Sequence, residues 1–336
     1  MGTAMVMAMV MVKLNQRNRL FRRNIMKVLV TGGAGFIGSH VVERHLNEGN
    51  NVVVVDDLSM GLKENLPIND SKLTFFERSI TDKAFMENLL LENKFDYIYL
   101  LAAIASVADT IDRPYESHQV NQEANIFILE TIRSQGWTPK RVLFASSAAT
   151  YGTLSYLPKV ESGAVSPETP YAIDKYATER YVLVYSKLYN IPAVAVRFFN
   201  VYGPRQNPKS PYSGVLSIIS NALQNDLEFS LMGDGKQTRD FVFVKDVVQA
   251  LKIAESTPEM VGEVFNVATG ESRTLLSAIS DLEIAAGKKL KMKLVPERLG
   301  DIKYSAADIS KLKSFGYEPK FAFSEGAKEY WNSLTK

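Results

Sequence analysis

A tyrosine and a lysine four residues apart, Tyr171 and Lys175, form the pair in this chain that is best suited to acid–base chemistry. Pro167 and Pro170 precede them, and a helix that starts there would place both side chains on one face, about one turn apart. An ammonium group beside a phenol favours the phenolate, so Lys175 is expected to lower the pKa of Tyr171. A phenolate can take the proton of an alcohol, and the pair therefore predicts proton transfer at a hydroxyl group.

Two serines precede this pair in the sequence. Ser146 and Ser147 follow the apolar run Val142–Ala145, which is short enough for a buried strand. In a parallel sheet, ligands bind beyond the carboxyl ends of the strands. Ser147 is therefore predicted to hydrogen-bond a substrate alcohol and to position it for the phenolate of Tyr171.

A glycine-rich turn stands near the start of the pattern, between the apolar run Val28–Val30 and a helical segment. Three glycines in this turn permit a tight bend, close approach of a pyrophosphate and close packing of helix on strand. The helix N-terminus adds N–H groups that can bind phosphates. This strand–turn–helix context predicts a dinucleotide site at Gly32, Gly35, Phe36, Ile37 and Gly38.

Acidic and small residues follow the next two apolar runs. Asp56 and Asp57 come directly after Val52–Val55, with no Lys or Arg at that point. A carboxylate there can accept hydrogen bonds from the adenine ribose and would repel a 2′-phosphate, which favours NAD over NADP. Ala102 and Ala103, at the end of the third run, are small enough to let a dinucleotide pass over the strand.

The alternation of strands and helices predicts an α/β fold, a Rossmann-type doubly wound parallel sheet with a smaller C-terminal substrate-binding lobe. The expected strands are 28–30, 52–55, 97–101, 142–145, 193–198 and 264–267. The expected helices are 37–48, 83–92, 121–134, 171–189, 215–225 and 275–286.

Composition excludes several classes of function. The net charge of +2 argues against nucleic-acid or membrane partners. The absence of cysteine excludes disulfides and thiolate sites, and the three histidines show no metal-ligand spacing, so no metal is expected. The apolar run 1–12 is too short to span a bilayer. With the basic stretch 13–23, it is expected to belong to a disordered or non-native extension, 1–25, of a cytoplasmic protein.

The glycine turn, the two serines and the Tyr-x-x-x-Lys element resemble, in this order, the extended short-chain dehydrogenase/reductase family. The likeness runs from Met26 to about Trp331, and the chain is most similar to nucleotide-sugar 4-epimerases of UDP-glucose and UDP-N-acetylglucosamine. The resemblance implies that Ser147 is the catalytic serine, Tyr171 the base and Lys175 the lysine that also holds the nicotinamide ribose. It also places Asn121 near the NAD cofactor.

The same resemblance assigns residues to the UDP-sugar substrate. It implies that Phe199 and Asn200 lie at the diphosphate, and that Arg239, Arg298 and Asp301 bind the nucleotide. Arginine suits this task because its guanidinium group donates several hydrogen bonds to a phosphate. The implied domains are 26–200 for NAD, with a returning segment near 237–268, and mainly 201–336 for the nucleotide sugar.

Two serines are expected at the hexose. Ser305 matches a wall position that is small in enzymes of N-acetylated sugars and a tyrosine in strict glucose/galactose enzymes. Ser106 is a candidate polar contact to the sugar. One departure from the family pattern is Ser79, which stands where an aspartate usually meets the adenine.

Together these residues predict a UDP-hexose 4-epimerase that retains NAD and works through a 4-keto intermediate. Ala148 and Ala149 replace the acidic residues that relatives use for dehydration or decarboxylation, which argues against both reactions. A UDP-glucuronate 4-epimerase, a nucleotide-ketosugar reductase and a non-catalytic NAD-sensing protein remain as alternatives. Family members commonly form homodimers through the helices that correspond to 121–134 and 171–189.

Overall fold

The computed structural model describes residues 25–207, 214–296 and 303–335. Its strands, in chain order, are β1 (Lys27–Thr31), β2 (Asn51–Asp56), β3 (Leu73–Glu77), β4 (Tyr97–Leu100), β5 (Arg141–Ser147), β6 (Ala193–Phe198), β7 (Asn200–Tyr202), β8 (Glu228–Met232), β9 (Thr238–Arg239), β10 (Phe241–Phe243), β11 (Val264–Val267), β12 (Arg273–Thr274) and β13 (Lys291–Val295).

The helices, again in chain order, are α1 (Phe36–Asn47), α2 (Lys83–Asn93), α3 (Val107–Asp112), α4 (Pro114–His118), α5 (Ala124–Ser134), α6 (Pro170–Tyr189), α7 (Val215–Asn225), α8 (Val244–Ser256), α9 (Leu275–Ala286), α10 (Ser310–Lys313) and α11 (Phe323–Leu334). A single π-helical turn, Gln119–Glu123, joins α4 to α5. Within the described residues, no helix is both long enough and apolar enough to cross a bilayer.

Across the described residues, seven strands form one parallel sheet in the order β11-β6-β5-β4-β1-β2-β3. The order reverses beside β1, because the chain runs outward to β3 on one side and returns through β4 on the other. Ligands bind at such a reversal, beyond the carboxyl ends of the strands. The predicted doubly wound α/β fold is confirmed, and it fixes the position of the site.

Alternate residues of each central strand pack against opposite layers of helices. Val28 and Val30 of β1 belong to one buried cluster with α1 and α8, whereas Leu29 belongs to another with α2, α5 and α6. Side chains of a strand point to opposite faces in turn, so a sheet covered on both sides needs continuous apolar runs. These runs are the signal that made the strands predictable.

A third buried cluster lies in the C-terminal part of the chain and joins α7, α9 and α11. Two short parallel strands, β7 and β10, pair at the boundary of this cluster, and β8 pairs with β13 at its far side. The strand β11 returns to the main sheet beside β6. The cleft described below lies between this part and the glycine turn.

Most predicted elements agree with the structure to within a few residues. The predicted helices 215–225 and 275–286 coincide with α7 and α9. The predicted helix 121–134 begins later, at Ala124, because the π-helical turn precedes it. The pairing of β8 with β13 was absent from the prediction, since β13 is an exposed strand without an apolar run. Residues 1–24 of the predicted extension lie outside the described residues.

Candidate active site

The glycine turn packs the first helix tightly against the first strand. Gly32 adopts a φ of +69°, and a Cβ atom there would lie 2.8 Å from the backbone of Ala102. A Cβ atom on Gly38 would lie 2.1 Å from the Gly32 carbonyl oxygen, so α1 can approach the turn only because position 38 is glycine. Gly35 precedes α1 and has no side chain to cap it, which leaves the first N–H groups of the helix available to phosphates.

Asp56 holds the turn to the end of β2. Its Oδ2 accepts a hydrogen bond from the Ala34 N–H, and its Oδ1 accepts one from the Leu58 N–H, both at 2.9 Å. Burial raises the pKa of Asp56, and these backbone donors oppose that rise. Each carboxylate oxygen has a second lone pair, so Asp56 can still accept from a ribose hydroxyl. Asp57 is exposed and accepts from the N–H and Oγ of Ser59.

Asn121 is buried behind the loop that follows β4. Its Oδ1 accepts the Ile104 N–H at 2.8 Å, and its Nδ2 donates to the Ile104 carbonyl at 3.1 Å. The π-helical turn that contains Asn121 is a form that recurs at functional sites. Asn121 is not among the described residues that line the cleft, so its structural task is to fix the loop that carries Ala102 and Ala103.

The catalytic pair predicted from the sequence lies at the start of α6. Thr169 caps this helix by accepting the Ala172 N–H, and Pro170 occupies its first turn. Lys175 is buried, and its Nζ donates to the Ala145 carbonyl at 2.9 Å. Burial lowers the pKa of Lys175 to about 8, while the neighbouring Asp174 raises it. The lysine is therefore anchored to β5, and it remains mainly protonated at neutral pH although burial lowers its pKa.

Tyr171 and Ser147 interact across the gap between α6 and β5. Burial raises the pKa of Tyr171, and a hydrogen bond with the Ser147 side chain lowers it. The expectation that Lys175 would lower the Tyr171 pKa is not what the structure shows, because the Lys175 Nζ bonds to Ala145 and lies 5.9 Å from the Tyr171 ring centroid. Ser147 also accepts the Ala149 N–H, which fixes its Oγ at the carboxyl end of β5.

The link between β6 and β7 and the start of α3 also line the cleft. Phe199 is buried, and the Asn200 N–H donates to the Asp240 carbonyl at 3.1 Å. Ser106 caps α3, since its Oγ accepts the Asp109 N–H at 3.0 Å. Phe199, Asn200 and Ser106 all line the cleft.

Two further predicted substrate residues, Arg239 and Ser305, lie near each other in the described part of the chain. Arg239 donates to the Thr238 carbonyl at 2.8 Å, and the Thr238 Oγ1 accepts the Ser305 N–H at 3.4 Å. Thr238 thus brings Arg239 and Ser305 into one neighbourhood. Neither is among the described residues that line the cleft. Arg298 and Asp301 lie outside the described residues.

Sequence reasoning missed several polar residues of the cleft wall. Arg78 follows β3 and could have been found by the rule that located Asp56, because both stand at the carboxyl edge of the sheet. Arg113 is bound by Asp109 and Glu116, and Arg205 forms an ion pair with Glu43, contacts that no sequence pattern indicated.

The cleft has a volume of about 830 Å³ and runs along the carboxyl edge of the sheet, from the ends of β2 and β3 to β7. The structure brings together the following predicted residues on its wall: Gly32, Gly35, Phe36, Ile37, Gly38, Asp56, Asp57, Ala102, Ala103, Ser106, Ser147, Tyr171, Lys175, Phe199 and Asn200. N–H groups at the glycine turn can bind the phosphates of a dinucleotide. Tyr171 and Ser147, in the same cleft, can act on an alcohol group of a substrate.

Many known proteins are similar to this chain. Residues 28–268 match the model of the NAD dependent epimerase/dehydratase family. The chain is 39% identical over 307 residues to a UDP-glucose 4-epimerase of Mycolicibacterium smegmatis, in a match that covers 90% of this chain and 96% of that protein.

Two solved structures are similar over nearly their whole length. One is a UDP-N-acetylglucosamine 4-epimerase from Methanobrevibacter ruminantium in complex with UDP-N-acetylmuramic acid, with a TM-score of 0.86, 36% identity and coverage of 93% of this chain and 98% of that chain. The other is a UDP-glucose 4-epimerase from Thermus thermophilus in complex with NAD, with a TM-score of 0.84, 35% identity and coverage of 92% of this chain and 99% of that chain.

Proposed function

The chain belongs to the NAD-dependent epimerase/dehydratase family, and on that premise we propose that it is a UDP-hexose 4-epimerase. The observation that carries this proposal is the position of Tyr171. Its phenol lies beside Ser147, whose side chain lowers the pKa of Tyr171, in the same cleft that holds the glycine turn. A base for a sugar hydroxyl therefore lies in one cavity with a dinucleotide site.

The residues present fit NAD. The glycine turn and the first turn of α1 would hold the pyrophosphate, and the carboxylate of Asp56 would accept hydrogen bonds from the adenine ribose. Asp57 lies beside it, Ala102 and Ala103 leave room above β4, and Asn121 holds that loop in place. NAD would supply the carbon that accepts a hydride from C4 of the sugar and gives it back.

The chain's own residues would move and hold the proton. Tyr171 takes the proton of the 4-hydroxyl as the 4-keto sugar forms and returns it when the hydroxyl is restored. Without substrate, the Ser147 hydroxyl lowers the pKa of Tyr171 through its contact with the phenol. When the sugar is bound, this single proton would be donated to the 4-oxygen instead. Lys175, held by Ala145, would hold the nicotinamide ribose.

The nucleotide half of the substrate would be held away from the reacting carbon. We assign Phe199 and Asn200 to the diphosphate, and Arg239, Arg298 and Asp301 to the nucleotide, as the family resemblance implies. A fixed nucleotide lets the 4-keto hexose turn over and present its other face. The assignment divides the chain into an NAD part, 26–200 with the returning segment, and a UDP-sugar part after residue 200.

Ser305 and Ser106 would meet the hexose itself. Ser305 is half-buried and is tied to Thr238, whereas the neighbouring Tyr304 is 59% exposed. A small side chain at this wall leaves room for an acetamido group, so both UDP-N-acetylglucosamine and UDP-glucose are proposed substrates. Two of the relatives described above are named for these two sugars.

We also propose that the chain forms a homodimer through α5 and α6. The α6 helix exposes Ile173, Tyr181, Val184, Leu188 and Tyr189. Exposed apolar patches of this kind mark interaction surfaces. A second copy of the chain is the natural occupant, because a twofold interface brings the same helix face together with itself.

Proton NMR of the purified protein with each UDP-sugar, and with no cofactor added, tests the proposal. New galacto-configured signals from UDP-N-acetylglucosamine and UDP-glucose are expected. Turnover of UDP-glucose alone would contradict the role of Ser305. Turnover of UDP-glucuronate but of neither other sugar, or consumption of added NADH, would contradict the proposed substrate class or reaction.

A further inference from the structure

Three residues on one stripe of α6 contact the end of β5. Tyr171, Lys175 and Glu179 are each four residues apart, a spacing that puts them on one helix face. Ser147 lies close enough to the Tyr171 phenol to lower its pKa, the Lys175 Nζ donates to the Ala145 carbonyl, and the Ser146 Oγ donates to Glu179 Oε2 at 2.6 Å. The helix thus contacts three consecutive residues of the strand, Ala145, Ser146 and Ser147. Only the contacts of Ala145 and Ser147 belong to the reaction described above.

Glu179 also forms a buried ion pair with Arg197 on β6. The Arg197 Nε donates to Oε2 at 2.9 Å and Nη2 donates to Oε1 at 2.7 Å, and both side chains are almost completely buried. The Arg197 guanidinium lies 4.7 Å from the Tyr151 ring centroid. Removing one member of such a pair leaves a buried charge without compensation. The Glu179–Arg197 pair therefore carries no net charge only while both residues are present.

We propose that Glu179 is a positioning residue for the reaction, which fixes α6 against β5 and, with Arg197, keeps the surroundings of Tyr171 and Lys175 electrically neutral. The inference rests on the proposed function, since it concerns the alignment and ionisation of that base. Glu179 is not among the described residues that line the cleft. It acts through Ser146, through Arg197 and through the helix that carries Tyr171.

The contacts of this ion pair extend toward the sugar wall. The Tyr151 hydroxyl donates to Asn266 Oδ1 at 2.7 Å, and Asn266 Nδ2 donates to the Lys159 carbonyl at 2.9 Å. The Lys159 N–H donates in turn to the Ala306 carbonyl, one residue after Ser305. A continuous path of hydrogen bonds and packed side chains therefore joins the catalytic helix to the segment that is proposed to select the sugar.

Other charged and titratable groups lie around the ion pair and also affect the pKa values near it. Glu161 accepts Arg197 Nη1 at its carbonyl and the Asn266 N–H at its carboxylate. The Lys159 Nζ lies 6.0 Å from the centroid of the Tyr151 ring, which also packs on Arg197. On α6 itself, Asp174 is bound to His118, and Lys175 lies one turn before Glu179. These groups are unchanged in the variants below.

The decisive variant is Glu179→Gln, which keeps the shape of the side chain and leaves the Arg197 charge uncompensated. A lone cation favours the phenolate, so the acidic limb of the pH profile of kcat should move to lower pH. The stripe puts Glu179 about 12 Å from Tyr171, and the expected shift is up to about one pH unit. The double variant Glu179→Gln, Arg197→Met removes the orphan charge and should return the limb to its original position.

Ser146→Ala keeps both charges and removes only the link to β5. We expect kcat to fall severalfold while KM for the UDP-sugar and the pH limb stay unchanged. This variant carries the positioning test even if Glu179→Gln does not fold. Wild-type kcat in Ser146→Ala, or an unmoved limb in folded Glu179→Gln, would overturn the proposal.

Glu255→Gln serves as the matched control, because Glu255 and Arg44 form a second buried ion pair, between α8 and α1. The Glu255→Gln variant should be less stable than the wild type, but the acidic limb of its kcat–pH profile should not move. If that limb moved as far as it does in Glu179→Gln, the proposal would also be overturned. Wild-type protein that does not epimerise UDP-sugars would instead contradict the proposed function itself. The two failures are therefore distinguishable.

Discussion

The Lys175 Nζ donates a 2.9 Å hydrogen bond to the carbonyl oxygen of Ala145, two residues before Ser147. This bond places the lysine and the serine at the same strand end, near Tyr171. The lysine is thus fastened to the backbone, and the hydrogen bond that lowers the Tyr171 pKa comes from Ser147. The chemistry of the cleft depends on the contact between α6 and β5.

Tyr171→Phe should abolish most of the epimerase activity. The change removes the hydroxyl that carries the proton and leaves the ring that packs in the cleft. We expect kcat to fall by at least about a hundredfold, the usual contribution of a general base. Bound NAD and the melting temperature should stay close to those of the wild type, measured by absorbance after acid release and by calorimetry.

Tyr176→Phe is the control for this change. Tyr176 lies on the same helix, and it is not among the described residues that line the cleft. It should keep its kcat to within a factor of about two. Equal losses in the two variants would contradict the assignment of Tyr171 as the base.

Lys175→Met should stabilise the cofactor-free protein while impairing its activity. Burial lowers the pKa of Lys175 from 10.5 to about 8, a change that corresponds to roughly 3 kcal/mol. The unfolded chain keeps this proton to higher pH than the folded chain does. Lys175 therefore destabilises the fold most below pH 8, and this destabilisation is lost as the pH rises from about 8 to 10.5.

Urea denaturation of wild type and Lys175→Met at about pH 7 and about pH 10 measures this effect. The variant should be the more stable of the two at neutral pH, and the difference should shrink at the higher pH. A difference that does not change with pH would contradict the lowered pKa of Lys175.

Asp56→Asn should weaken NAD binding by loosening the glycine turn. An amide can accept only one of the two backbone hydrogen bonds at Ala34 and Leu58, and a lost bond of this kind costs about 1–3 kcal/mol. The variant should be purified with less bound NAD than the wild type. Asp57→Asn changes a side chain that accepts hydrogen bonds from Ser59 and should retain more NAD than Asp56→Asn. The reverse order would contradict this account of the turn.

Leu188→Glu should break the proposed dimer. Leu188 is 61% exposed on α6, and a carboxylate there would be buried without a partner at a twofold interface. Light scattering after gel filtration should give half the wild-type mass. Ile284→Glu, at a 77% exposed position on α9, is the control and should leave the mass unchanged. A monomeric wild type, or a dimeric Leu188→Glu, would contradict the α5–α6 interface.

The main sheet could be predicted from sequence because its strands are continuous apolar runs between helical patterns. The run 193–198 coincides with β6, and the glycine turn, Asp56 and Ser147 could all be placed by one rule, that the carboxyl ends of parallel strands meet at one edge. The local apolar pattern and the general topology of parallel sheets were sufficient to place these residues.

Other features depend on partners far away in the chain, and no local pattern identifies such partners. Asn121 bonds to Ile104, and Glu179 bonds to Arg197 and Ser146. One signal was present, since Arg197 is a charged residue inside an otherwise apolar strand and so required a buried partner. The sequence did not show which of the many acidic residues that partner was.

The fate of a deuterium label at C4 of the sugar tests the central claim most directly. UDP-glucose or UDP-N-acetylglucosamine labelled with deuterium at C4 is incubated with the protein in ordinary water, without added cofactor, and the product is examined by NMR. We expect a galacto-configured product that keeps its deuterium at C4, because the hydride removed from that carbon is the one returned to it. Loss of the label to water, or the absence of epimerised product, would contradict this mechanism.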